Sequence, residues 1–176
     1  MTSIASNIII REPSAKDASP LMDFGNKLLG ETTYYVRVPG ERANTPKDML
    51  RIINWYTDAR RQNMLHAWDG DVPVGEVVIM AGQLTRTSKC AQLGIGVLIS
   101  HHRQGIGKAL MDAAETYAMN HDIHRIEFSV LHHNHGAYRF YQKLGYVEDG
   151  RKKQSVFIDG KYYDEIMMGK ILSPSS

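Results

Sequence analysis

The stretch from Ile95 to Leu110, IGVLISHHRQGIGKAL, constrains the fold of this chain more than any other. Its β-branched run (Ile95, Val97, Ile99) reads as a buried strand. A polar turn ending in Gly105 and Gly107 follows, and then a long amphipathic helix. Strand, glycine turn and helix N-terminus in succession make an anion site. Glycines let the backbone approach closely, and the first N–H groups of a helix have no intrahelical acceptor. A phosphorylated ligand suits such a place; the alternative is a strand–turn–helix whose glycines serve geometry alone.

The details restrict the ligand. A nucleoside-triphosphate loop needs G-x-x-x-x-G-K-[ST], but His102 stands where the first glycine belongs and Ala109 follows Lys108. The dinucleotide fingerprint fails as well: Gly94 and Gly96 are followed by Ile99, and Gly105 and Gly107 by Leu110. What remains is the shorter turn His102-Arg103-Gln104-Gly105-Ile106-Gly107. A second segment, Asn134 to Tyr146 (NHGAYRFYQKLGY), reads as a helix capped by Asn134 and ended by a left-handed Gly145. Ala137, Phe140, Tyr141 and Leu144 form its apolar stripe. Asn134 and Tyr141 are two helical turns apart, so they share about one face.

The turn resembles the acetyl-CoA pyrophosphate loop, [Q/R]-x-x-G-x-[G/A], of the GNAT superfamily of N-acetyltransferases, with His102 as the one departure. The second segment resembles the same family's N…A…(F/Y)YxKLGF signature. The pattern around Tyr141 and the hairpin IDGKYYDEIMM have some likeness to the spermidine and ribosomal-protein acetyltransferase branches. The resemblance implies an α/β (α+β) fold with a mixed central sheet of about seven strands, four helices and a splayed parallel pair of central strands.

The elements read from the residues agree with that expectation over nearly the whole chain. Asn7–Arg11 is a strand, and Pro13–Leu29 a helix, or two given Pro20. Thr45-Pro46-Lys47-Asp48 starts a second helix, with a hydroxyl cap, a first-turn proline and an N3 carboxylate. Strands follow at Asn63–Asp69 and Pro73–Met80, with the turn Gly70-Asp71 between them. A central strand runs over Ala91–Ile99, and the helix Gly105–Met119 packs through Ile106, Ala109, Leu110, Ala113 and Tyr117. Arg125–Leu131 is a strand; after the Asn134 helix, Tyr146–Phe157 and Lys161–Ile171 form a hairpin around Asp159-Gly160. The 176 residues are expected to form one domain, with a frayed tail at Ser173–Ser176.

Composition narrows the function. The chain is 43% hydrophobic and 23% charged, with a net charge of only +2, which gives no support for bulk nucleic-acid or membrane binding. No apolar run is long enough to span a bilayer, and MTSIASNIII lacks the basic region and cleavage site of a leader. The single cysteine, Cys90, fits a reducing cytoplasm. The histidine pairs His121/His124 and His132-His133-Asn134-His135 lack the cysteine or carboxylate spacing that completes a metal set, so no metal is expected.

Site residues come with the resemblance. It assigns acetyl-CoA to His102, Arg103, Gln104, Gly105, Ile106, Gly107 and Lys108, to main-chain groups of Ile95, Gly96 and Val97, and to Asn134 and Tyr141. Tyr141 is the expected general acid. A phenol with a pKa near 10 is protonated at neutral pH and can serve a departing thiolate of pKa about 8.5. Many relatives carry a glutamate where this chain has Gln92, so Glu76 on the preceding strand is the substitute base, with a water chain as the alternative. Bottom-up, Tyr141 also reads as a core aromatic and Glu76 as an exposed strand-end carboxylate. The acceptor amine is expected against Glu31, Tyr34, Tyr35 and Tyr163, where carboxylates beside aromatic rings suit a cation. A homodimer through an exposed final strand fits the family's habit. The competing reading is a non-catalytic acyl-CoA-binding or sensing module of the same fold.

Overall fold

Local chemistry fixes each element before packing does. In the computed structural model, which describes residues 7–58 and 61–172, the second helix, α2 (Pro46–Thr57), starts as its sequence requires. The Thr45 hydroxyl accepts from the Asp48 N–H at 3.2 Å, and the Asp48 carboxylate accepts from the Thr45 N–H at 3.1 Å. The first helix, α1 (Ala18–Gly30), follows a 3₁₀ turn at Ala15–Asp17 and is continuous through Pro20. That proline sits in the first turn, where a missing N–H breaks no helical bond. The expected tail at Ser173–Ser176 lies outside the described residues.

Seven strands form one mixed sheet. They are β1 (Ile8–Arg11), β2 (Gln62–Asp69), β3 (Val72–Ala81), β4 (Cys90–Val97), β5 (Arg125–Leu131), β6 (Val147–Ile158) and β7 (Lys161–Ile171), in the order β1-β2-β3-β4-β5-β7-β6. With α3 (Ile106–Asn120) and α4 (His135–Lys143), the element order is the one read from the sequence. Two expectations need correction. The final strand, β7, is no edge: it lies between β5 and β6, and β6 closes the sheet. Ile99 is not in the central strand. The Leu98 N–H still reaches the Val74 carbonyl, but the Ile99 N–H turns to the Glu31 carboxylate at 2.8 Å and opens a 3₁₀ turn.

The chain divides into two compact units. The first comprises Met1–Met80 and Gly94–Tyr117. There β1, β2 and β3 pair antiparallel, and β2 and β3 are buried almost throughout, as strands covered on both faces must be. Leu21, Phe24 and Leu28 of α1 and Met49 and Ile53 of α2 close a core with Trp68 of β2. Each such side chain contributes about 1.5–3 kcal/mol on burial. At the start of α3, Ile106 and Leu110 lie over Gly75, where a Cβ would sit 3.3 and 3.1 Å from them. The inward stripe of α3 is turned from the expected one. Met111 and Ala114 are buried while Ala109 and Ala113 are half-exposed, because an alanine-rich helix leaves its larger side chains to decide which face enters the core.

Two ion clusters tie this unit together. Arg11 makes a twin contact with Asp17, 2.9 Å at each oxygen, and its guanidinium lies 4.0 Å over the Trp68 ring. Arg42 makes a second twin contact, 2.6 and 2.8 Å, with Glu76 of β3, whose Oε2 also meets His66 Nε2 of β2 at 3.1 Å. A carboxylate can only accept, so Nε2 carries the proton in this contact.

The second unit comprises Ala81–Leu93 and Ala118–Ser176. The parallel ladder pairs Cys90, Ala91 and Gln92 with Arg125, Ile126 and Glu127. β7 runs antiparallel to both β5 and β6. The β6–β7 turn places Asp159 at φ 48° and Gly160 at φ 79°, the backbone of a type I′ hairpin.

Two outcomes follow. Thr45→Ala removes one half of the capping box and lowers unfolding free energy by about 1 kcal/mol, read from the urea midpoint at constant slope. Acid tests the ion clusters. The hydrogen bonds from Arg11 hold the Asp17 carboxyl well below its ordinary range. Burial works against ionisation of Glu76, but Arg42 and the His66 hydrogen bond overcome it and hold that carboxyl low as well. Both groups therefore take up protons at higher pH when unfolded than when folded. Thermal stability is level above about pH 4.5 and falls steadily below it. A loss of stability that begins only as pH rises would contradict this assignment.

Candidate active site

The turn between β4 and α3 has the backbone an anion loop needs. Arg103 and Gly105 take positive φ, 61° and 79°, bracketing Gln104. Such left-handed steps re-aim successive amides toward one point, and a non-glycine residue adopts them at a cost of about 1–2 kcal/mol. The Gly105 carbonyl accepts from the Ala109 N–H at 3.0 Å, so α3 begins here and Ile106, Gly107 and Lys108 carry its first amides. Their N–H groups have no acceptor within the helix. His102 folds back, Nε2 donating to the Val97 carbonyl at 2.9 Å. It closes the turn onto the end of β4. Gln104 Nε2 likewise donates to the Ser100 carbonyl at 3.3 Å, and Lys108 pairs with Asp112 at 2.6 Å. Arg103 stands exposed.

β4 approaches its neighbours through glycine. A Cβ on Gly96 would lie 2.5 Å from Leu28 Cδ2 and 2.7 Å from the Tyr35 hydroxyl, so any larger residue would displace one or both side chains. Tyr35 is thereby seated on the strand's backbone; burial and then the Glu76 charge push its phenol well above the usual range. Glu31 ends α1, and one of its oxygens is taken by the Ile99 amide. Tyr34 is 43% exposed. The first unit thus brings together Glu31, Tyr35 and Gly96.

Glu76 is not the exposed strand-end carboxylate that its position near Gly75 allowed. It is 9% exposed and engaged at both oxygens by Arg42 and at one by His66, which is itself fully buried. His66 Nδ1 finds no partner among the described residues. Tyr56, near this group, has its phenol pushed up to about 12 by burial and then by Glu76. Sequence reasoning missed both Arg42 and His66. The signal available was a lone carboxylate inside VPVGEVVIM, since an apolar strand cannot bury a charge unpaired.

In the second unit, Asn134 Oδ1 caps α4 by accepting from the Ala137 N–H at 3.1 Å. The helix stops in a six-residue closure. Gly145, at φ 87°, donates to the Gln142 carbonyl, and Tyr146 donates to the Tyr141 carbonyl at 3.1 Å. This return folds the Tyr146 ring toward Tyr141, and both flank Phe128 of β5, with centroids 5.0 and 4.4 Å from it. Tyr141 is accordingly buried. Tyr163 of β7 is half-buried against His133, 4.7 Å between rings. Gln92 donates to Glu127 at 2.6 Å, so the residue in the family's glutamate position is held by a carboxylate on the neighbouring strand. Among the described residues no group of three or more His, Cys, Asp or Glu side chains is arranged to hold a metal ion.

Comparison with known proteins gives the arrangement its context. The sequence model of the acetyltransferase (GNAT) family matches residues 30–146. No curated protein matches the chain by sequence. Among solved structures, the acetyltransferase of GNAT family from Streptococcus pneumoniae superposes with a TM-score of 0.88 at 28% identity, over 94% of this chain and 99% of that one. A Salmonella typhimurium acetyltransferase solved with its cofactor acetyl-CoA gives 0.84 at 16% identity, over 97% of each chain. The ribosomal-protein-alanine N-acetyltransferase of Brucella melitensis gives 0.83 at 19%, over 93% of this chain and 99% of its own. The last two share the fold. With the family's pattern matched from the end of α1 to the residue after Gly145, the chain belongs to the acetyltransferase (GNAT) family.

Proposed function

We propose that this acetyltransferase moves an acetyl group from acetyl-CoA to a primary amine, on a small molecule or a protein, by direct attack in a ternary complex. The observation that carries the reading is the Arg103–Gly105 turn feeding the N-terminus of α3. The residues present fit the co-substrate. Backbone amides of Ile106, Gly107 and Lys108 would hold its pyrophosphate, with the exposed Arg103 cation beside them. The parallel ladder registers Cys90, Ala91 and Gln92 with β5, and beyond it the backbone of Ile95, Gly96 and Val97 would pair with an extended arm as an added strand does. Asn134 spends its oxygen on the cap, which leaves its amide N–H groups for the arm.

Acetyl-CoA supplies an activated thioester carbonyl; the chain supplies position and protons. Tyr141 is the proposed acid for the leaving thiolate. The amide of Val97 would stabilise the charge that develops on the thioester carbonyl oxygen. Glu31, Tyr34, Tyr35 and Tyr163 are the proposed acceptor contacts, with Glu31 sharing its carboxylate with the Ile99 amide. The ion pair with Arg42 makes Glu76 a weak base, so the amine's proton leaves through water. A protein amino group is proposed beside small amines, on the likeness of the Tyr141 region and the final hairpin to the ribosomal-protein acetyltransferase branch. We place the protein in the cytoplasm on its single cysteine, Cys90. The same proposal includes pairing of two copies as a homodimer.

Tyr141→Phe decides between transferase and sensing module. In thiol-release assays kcat falls about 10²–10⁴-fold while the KM for acetyl-CoA stays within about twofold. Unchanged turnover would remove Tyr141 from the chemistry, and binding of acetyl-CoA without turnover on any amine would favour the sensing module. Gly105→Ala forces a Cβ into a left-handed step and raises the calorimetric Kd for acetyl-CoA about tenfold. An unaltered Kd would sink the assignment of the turn.

A further inference from the structure

The segment Glu31–Glu41, the first part of the connection from α1 to α2, has no strand or helix of its own, yet it is fastened at every few residues. At its start, Glu31 holds the Ile99 amide. In its middle, Tyr35 rests on Gly96. Toward its end the Val38 N–H donates to Glu41 at 2.9 Å, and the Gly40 N–H to the Asn26 side chain at 2.9 Å. The residue immediately after it is Arg42, whose guanidinium passes Gly25 of α1 and ends in the twin contact with Glu76. Glu76 is in turn held from β2 by His66.

Arg42 and Glu76 are the strongest of these fastenings. The other bonds join the segment to side chains or to nearby loop backbone, whereas this one joins it to the middle of the sheet. Both side chains are nearly out of solvent, 10% and 12% exposed, so water does not compete for the contact. Three donors already aim at the two carboxylate oxygens, which leaves Glu76 poorly placed to take a proton from an amine.

We infer that Arg42, Glu76 and His66 form a latch that fixes the Glu31–Glu41 segment in the shape that receives the acceptor amine. Glu76 is a positioning residue, acting through Arg42 on the segment that seats Tyr35 on Gly96, and never touching the reacting atoms. This rests on the reading of that segment as the acceptor wall. It explains why a carboxylate is buried on β3 in a chain that carries Gln92 on β4. The two positions do different work.

The test uses the full chain in four forms: wild type, Glu76→Gln, Glu76→Asp and Arg42→Lys. Hydrogen exchange read by mass spectrometry is expected to show amides of residues 31–42 exchanging about tenfold faster in Glu76→Gln, with partial recovery in Glu76→Asp. Arg42→Lys keeps the charge, loses the fork and accelerates the same amides to a lesser degree, which guards against a Glu76→Gln protein that fails to fold. Peptides from β6 and β7 serve as the control and do not change. Steady-state thiol release follows, using whichever of spermidine, lysine, an alanine-terminated peptide and kanamycin reacts fastest. Acceptor KM rises about tenfold in Glu76→Gln, kcat moves by less than about threefold, and the acid limb of the kcat profile stays in place. Unchanged exchange across 31–42 in both Glu76→Gln and Arg42→Lys overturns the latch. A collapse of kcat with loss of the acid limb and unchanged KM also overturns it, and returns Glu76 to the role of base. If none of the four amines reacts, the exchange result still decides the latch, and the failure belongs to the transferase reading alone.

Discussion

The contact between Arg42 and Glu76 sets the terms for the first unit. A carboxylate in the middle of a covered strand would cost several kcal/mol if left alone. Its ionised state is kept by one guanidinium that reaches in from the α1–α2 connection and by one imidazole that reaches across from β2. Removing any member leaves a charge or a ring nitrogen buried without its partner, so the three residues stand or fall together. The connection cannot shift outward without exposing Arg42's partner. The acidic group in the sheet therefore determines where an aromatic, charged loop lies over β4.

Glycine does the complementary work on the strand itself. Gly96 lets Tyr35 and Leu28 rest against the backbone, and Gly75 does the same for Ile106 and Leu110. One strand residue without a side chain thus receives the loop, and another receives the start of α3. The loop that presents aromatic rings and the helix that presents free amides are both referenced to the sheet through positions where an added methyl group would press on them.

Most of the fold could be read from the chain because its signals are local. Thr45 to Asp48 announces α2, Asp159-Gly160 announces the last hairpin, and Gly145 ends α4 with the left-handed geometry its position demands. The candidate site was legible where it is made of backbone, as at Gly105, and where a motif fixes a helix face, as at Asn134. It was illegible where it depends on contacts between residues far apart in sequence. Nothing in the string pairs Arg42 with Glu76, 34 positions on, or sends Ile99's amide to Glu31, 68 positions back. Edge or interior placement of β7 is likewise a question of strand order, which alternation within one strand does not contain.

The closure after α4 carries one more consequence. Nine residues are too few for a helix to persist on its own in water, where nucleation outweighs so short a run of bonds. α4 exists because Tyr146 returns onto Tyr141 and both lean on Phe128. Tyr141 is therefore positioned in part by that cluster of three rings. The acid proposed at Tyr141 is thereby tied to an aromatic cluster and not to the β5–β7 ladder, so what would position the chemistry is separate from what pairs the strands.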